Sequence, residues 1–126
     1  MAQNLLTFMS EMTYIEADVT FFSKSEGGRN TLPTLSGCVY RPHIVVGDPN
    51  QKQAILNGNE IQESYLGVAF QAGDENAEFD KSFPAELALI YYPHPIYDSL
   101  VPDATFTIRE GAAIVGSGKV KKLCIR

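Results

Sequence analysis

Alternation of apolar and polar residues at a period of two constrains this chain more than any other feature. In YIEADVTFF (14–22), Ile15, Ala17, Val19 and Phe21 fall on one face, and Glu16, Asp18 and Thr20 fall on the other. Successive side chains of a strand point to opposite sides, so the segment reads as a half-buried strand. YRPHIVV (40–46) reads as a second, with Pro42 confined to its start, an edge or a bulge. A short third follows at 65–70. AELALIYY (85–92) mixes helix formers with Ile and two Tyr, and its eight residues between Pro84 and Pro93 suit a strand better. ATFTIRE (104–110), a turn at Gly111 and AIVGSGKV (113–120) form the clearest hairpin. Between these lie a long Gly/Pro/Ser/Asn loop (23–37), a polar stretch 48–60 with NG and GN turn signals, and an acidic segment 72–84 read as an exposed loop with too few apolar residues for a core element. No amphipathic helix of ten or more residues stands out. Six short strands predict an all-β fold, a small antiparallel barrel or sandwich.

A chain of 126 residues fits one domain, and 44% hydrophobic with 20% charged residues fits a folded globular one. The net charge of −5 is unevenly spread. Residues 1–118 hold 15 acidic and 6 basic side chains, while KVKKLCIR (119–126) holds four basic residues and no acid. Nucleic-acid affinity comes largely from neutralised phosphates, so an acidic domain argues against strong general RNA or DNA binding. The basic tail reads as a final strand with solvated lysines, or else as a local patch. No stretch nears the roughly 20 apolar residues that span a bilayer, and MAQNLLTFMSEM lacks a basic leader, so a cytoplasmic protein without a membrane partner is expected. Cys38 and Cys124 are too few for a disulfide framework and lack zinc-ligand spacing; free thiols are expected.

Motifs that carry chemistry fail on inspection. AIVGSGKV resembles a phosphate loop, but Ala113 stands where the first Gly belongs and Val120 where Ser or Thr belongs, so no nucleotide site is expected. A bulge or close backbone approach accounts better for its glycines. His94, Asp98 and Ser99 share one Pro-bounded turn, too tight for a nucleophile–base–orienter relay. His43 and His94 have no evident carboxylate companion, so neither a metal nor another cofactor is implied. Phe21, Phe22, Tyr91, Tyr92 and Phe106 read as core filling, with base stacking as the alternative. The chain is expected not to be an enzyme.

Several segments resemble one family in order. EADVTFFSKSEGGRNT carries Ser23, Lys24, Glu26, Gly27, Gly28, Arg29 and Thr31; YRPHI carries Tyr40, Arg41 and Pro42; HPI stands at 94–96. FTIREGAAIVGSGKV carries Phe106, Ile108, Arg109, Glu110, Gly111, Val115, Gly116 and Gly118. Over about residues 14–123 this is similar to the C-terminal β-barrel, domain three, of translation elongation factor Tu. The resemblance implies a closed, about six-stranded antiparallel barrel over 13–126 with an N-terminal extension over 1–12. It implies a non-enzymatic, translation-related binding module without the family's GTPase domain, contacting the tRNA T stem or a translation or exchange factor. The RNA-facing positions it implies are Arg29, Asn30, His43, Glu110 and Gly111, with Arg41 beside them. Asn30 stands where the family usually has His, His43 where it has Gln, and Ala112 and Ala113 where it has Gly and Arg. The stretch 47–83 is longer and more acidic than its family counterpart, so any aminoacyl-tRNA binding is expected to be weak and salt-sensitive. The alternative is a free-standing protein-interaction domain, a decoy or immunity-type mimic of the barrel that binds no RNA. The retained residues also have a purely structural reading, in which the glycines serve turns and Arg29 or Arg41 forms an ion pair holding the loops.

Overall fold

A computed structural model describes residues 12–125. Among the described residues there are eight strands: β1 (Tyr14–Phe21), β2 (His43–Val46), β3 (Leu56–Asn57), β4 (Glu60–Ile61), β5 (Leu66–Ala72), β6 (Phe83–Leu89), β7 (Thr105–Glu110) and β8 (Ala113–Cys124). Six of them close an antiparallel barrel in the order β1-β6-β5-β2-β7-β8, with β8 pairing back onto β1, and β3-β4 form a separate hairpin. The expected all-β closed barrel is therefore the observed fold. The expected extension 1–12 lies, except for Met12, outside the described residues. No helix among the described residues is long and apolar enough to cross a membrane.

The alternation in β1 sets the interior as anticipated, with Ile15, Ala17, Val19 and Phe21 fully buried. They meet Ile44, Val68, Phe70, Leu87, Leu89, Phe106 and Ile108 in one core cluster. Phe21 is central: its ring lies 5.7 Å from Phe70, 6.1 Å from Phe83 and 6.0 Å from Tyr40. Phe106 is also core, whereas Phe22 is half-buried beneath the Lys52 ammonium and Tyr91 and Tyr92 stand exposed in the turn after β6. Of the five aromatics, two are core filling and three lie outside it.

Gly116 and Gly118 of the hairpin arm make the close approaches that the failed phosphate-loop motif suggested: a Cβ at Gly116 would stand 2.6 Å from the Thr20 carbonyl. A side chain at Gly118 would run into the Phe106 ring and stand 2.9 Å from the Asp18 carbonyl, so the ring packs where a Cβ would be. The ladder between β7 and β8 slips at Ile108/Arg109, a bulge next to the pair of Ile108 with Gly116.

The segment 72–84 is a largely exposed loop over 73–82, as expected, and departs from expectation at its ends and in two side chains. Ala72 ends β5, Phe83 and Pro84 begin β6, Phe83 belongs to the core, and Ala77 and Phe79 pack against it. A few apolar residues in a polar run suffice when a barrel end needs a plug, which composition averaged over the segment conceals. The lysines of the tail, on β8, face the acids of β1: Lys121 Nζ lies 3.1 Å from Asp18 and Lys122 Nζ 3.5 Å from Glu16, with Lys119 3.6 Å from Asp103. Cys38 and Cys124 are free thiols.

Hydroxyl anchoring adds to the core. Tyr97 is buried in a 3-10 turn (Pro95–Ser99), donates to the Gly67 carbonyl at 2.6 Å and accepts from the Tyr91 amide at 3.1 Å. Burial pushes its phenol above the ordinary value. Tyr97→Phe leaves a buried carbonyl and an amide without their partner, so we expect a loss of about 1–2 kcal/mol in urea unfolding.

Candidate binding site at the IREG end of the barrel

β1 ends, β2 begins and β7 turns into β8 at the same end of the barrel, which brings the EGGR, YRP and IREG segments together. The chain leaves β1 through a 3-10 turn (Lys24–Glu26) and returns so that Ser23 bridges to Arg29. Gly28 passes directly over Phe22, where any Cβ would collide with the Phe22 carbonyl. That approach aims Arg29 inward. Its guanidinium pairs with the Glu110 carboxylate, donates from Nε to the Thr31 carbonyl at 2.9 Å, and lies 5.3 Å over the Tyr40 ring. Tyr40 completes the cluster by donating its hydroxyl to Glu110 at 2.6 Å. Burial, then the hydrogen bond to Glu110, pushes the Tyr40 phenol well above its ordinary value, so it remains a neutral donor.

A second network lies on the outer face of β7. Thr107 and Arg109 point away from the core, yet both are buried. The reason is the arm of residues 47–64, which folds back over β2 and β7. Arg109, fully buried, donates twice to Glu63, at 2.8 and 3.0 Å, and from Nε to the Thr107 hydroxyl at 2.8 Å. Glu63 also accepts from the Gln51 side chain at 2.9 Å and the Ile55 amide at 2.8 Å. With four donors, above all Arg109, its carboxyl is held down to about 2. Burial works against the charge of Arg109, but Glu63 and Tyr65 hold its pKa above the ordinary value. Tyr65 receives a 3.2 Å contact from Arg109 and donates to the Gly111 carbonyl at 2.8 Å.

The residues implied by resemblance are only partly assembled. Arg29 and Glu110 touch. His43 and Gly111 both meet Tyr65, His43 by a tilted ring contact at 5.6 Å. Asn30 is exposed beside Arg29. Arg41 is exposed and turns elsewhere, donating from Nε to the Cys38 carbonyl at 3.0 Å. His94 spends Nδ1 accepting the Ile96 amide at 3.0 Å, capping its turn. Sequence reasoning missed Glu63, Tyr65 and the burial of Arg109. The one available signal was a long arm, 47–64, too poor in apolar residues to fold by itself and therefore bound to lie on something else.

The Arg29–Glu110 pair is partly exposed, which limits its value. A double-mutant cycle with Arg29→Ala and Glu110→Ala should give a coupling of about 1 kcal/mol, read from urea midpoints. Comparison with known proteins finds no family model that matches the chain and no curated protein similar to it.

Proposed function

We propose that this chain is a non-enzymatic binding module of the elongation-factor-Tu C-terminal barrel type whose partner is a protein rather than RNA. The ordered likeness of the EGGR, YRP and IREG segments supports the barrel type, and with it a partner drawn from factors that recognise such a barrel. One observation carries the choice of protein over RNA. Among the described residues, Arg29, Lys81, Arg109, Lys119, Lys121 and Lys122 each lie within ion-pair distance of a carboxylate. Arg109 is buried out of a phosphate's reach, and a phosphate approaching any of the other five meets that carboxylate too, so for these cations the favourable term that normally drives RNA affinity is much reduced.

Nitrocellulose filter binding with aminoacyl-tRNA, beside a binding assay with the purified exchange factor of elongation factor Tu, tests the reading. At about 50 mM salt we expect no saturable tRNA retention, and no change with Arg29→Ala. The exchange factor should bind saturably, in roughly the micromolar range. Tight tRNA binding, weakening with a log–log salt slope near 3 in magnitude and lost in Arg29→Ala, would replace the protein reading with the RNA one.

A further inference from the structure

The tip of the arm that covers Arg109 leaves one covalent reaction open. Of the asparagines in the chain, Asn57 alone precedes a glycine. The hairpin sets it opposite Glu60, with Gly58 and Asn59 turning between β3 and β4, and all four residues are exposed. Among the described residues nothing holds the Asn57 side-chain amide, and the Gly58 amide meets no acceptor. A Cβ at Gly58 would meet nothing within 4 Å, so its nitrogen stands in open surroundings.

The other described asparagines differ at the atom that follows them. The Gln51 amide, after Asn50, donates to the Asp48 carbonyl at 3.2 Å, and the Ala77 amide, after Asn76, donates to the Asp74 carbonyl at 3.1 Å. Asn59 precedes Glu60, a strand residue with a side chain that shields its nitrogen. Asn30 precedes Thr31, which is branched at Cβ and shields its nitrogen further. Gly58 offers neither a hydrogen bond nor a side chain in the way of attack.

We propose that Asn57 is a site of spontaneous deamidation, which converts it to aspartate or isoaspartate and loosens the β3-β4 hairpin. Only water and hydroxide take part. Hydroxide removes the Gly58 amide proton, and the nitrogen attacks Asn57 Cγ; the new N–Cγ bond closes a cyclic imide as the Cγ–Nδ2 bond breaks and ammonia leaves with a proton from solvent. Water then adds to one of the two imide carbonyls. Opening at Cγ restores the main chain and gives aspartate, whereas opening at the main-chain carbonyl routes the backbone through Cβ and Cγ as isoaspartate. Either product sets a carboxylate opposite Glu60, and like charges directly opposite in an antiparallel pair repel. Isoaspartate also adds an atom to the main chain beside a two-residue turn, whose length fixes the register of the pair.

The folded full chain is aged in mildly alkaline buffer and compared with the unaged chain. Trypsin releases residues 53–81 as one peptide, so fragmentation mass spectrometry compares Asn57, Asn59 and Asn76 within one molecule. Asn57 should show the mass gain of an amide-to-acid exchange roughly tenfold faster than either of the others. Its rate should rise roughly tenfold per pH unit, because the deprotonated nitrogen attacks. The chain unfolded in urea should convert Asn57 within roughly threefold of the folded rate, since the fold gives this position no protection. The Gln62 amide, which donates to the Ile55 carbonyl at 2.8 Å, should exchange its hydrogen roughly two- to fivefold faster in the aged chain and in Asn57→Asp. Asn57→Gln, which has to close a larger ring, should age without either change. An Asn57 that stays intact in the folded chain but converts in urea, equal conversion of the three asparagines, or a Gln62 amide unchanged in the aged chain and in Asn57→Asp overturns the proposal.

Discussion

Glu63→Gln should lower the unfolding free energy by about 3–5 kcal/mol, because it leaves the Arg109 guanidinium fully buried without its counter-charge. Arg109 reaches no water, so it has no solvent to fall back on once the carboxylate is gone. Arg109→Met should cost less, since it strands only Glu63, which can turn outward with the arm. The double variant Glu63→Met with Arg109→Met should recover much of the loss, as removing both members of a buried pair leaves no orphaned charge. Urea unfolding followed by circular dichroism reads all three. A single Glu63→Gln variant as stable as the parent would mean that the arm does not close over β7.

The same pair gives the protein an acid-labile component. Arg109 and the other donors hold the Glu63 carboxyl at about 2, below its ordinary value near 4.5. A group whose folded pKa is depressed stabilises the fold above its unfolded pKa, and that contribution disappears as pH falls through the folded value. Stability should therefore decline between about pH 4.5 and pH 2. Urea midpoints across this window should fall more steeply for the parent than for Glu63→Gln, which has no carboxyl to titrate.

Phe21→Ala is expected to cost about 3–5 kcal/mol, which approaches the whole stability of a domain this size. Phe21 is fully buried, and three aromatic rings lie within about 6 Å of its centroid. The cavity cannot collapse easily, because Phe70 and Phe83 are held by barrel strands and Tyr40 is tied to Glu110. Thermal unfolding should show a fall in Tm of ten degrees or more, at roughly 4–8 °C per kcal/mol for a small domain. The exposed Leu56→Ala should leave Tm within a degree or two. Comparable effects at the two positions would contradict the placement of the core.

Much of the fold was readable from residues because period-two alternation is a local property. β1 runs Tyr14–Phe21 where 14–22 was anticipated, and the β7–β8 hairpin turns at Gly111 as its sequence implied. Boundaries moved where pairing, not composition, decides them. β8 continues to Cys124 because β1 offers a partner as far as Tyr14, and β2 begins only at His43, where its pairing with β7 at Arg109 starts. The segment 85–92 became Phe83–Leu89, with its two tyrosines left to the turn.

The candidate site was less legible. The glycines around EGGR announced a tight loop, but the pairing of Arg29 with Glu110, 81 positions away, exists only because closing the barrel places the ends of β1 and β7 together. Arg109 is the plainest case. It lies on the strand face opposite Phe106 and Ile108, and an outer-face arginine is ordinarily solvated. Whether it meets water depends on where a polar arm, itself without a core, comes to rest. That is settled by desolvation and pairing energies between residues 46 positions apart, Glu63 and Arg109, and these have no counterpart in local sequence. The sequence thus determined which residues face inward, whereas tertiary structure alone decided which outward-facing charges are spent inside the molecule and which remain in solvent.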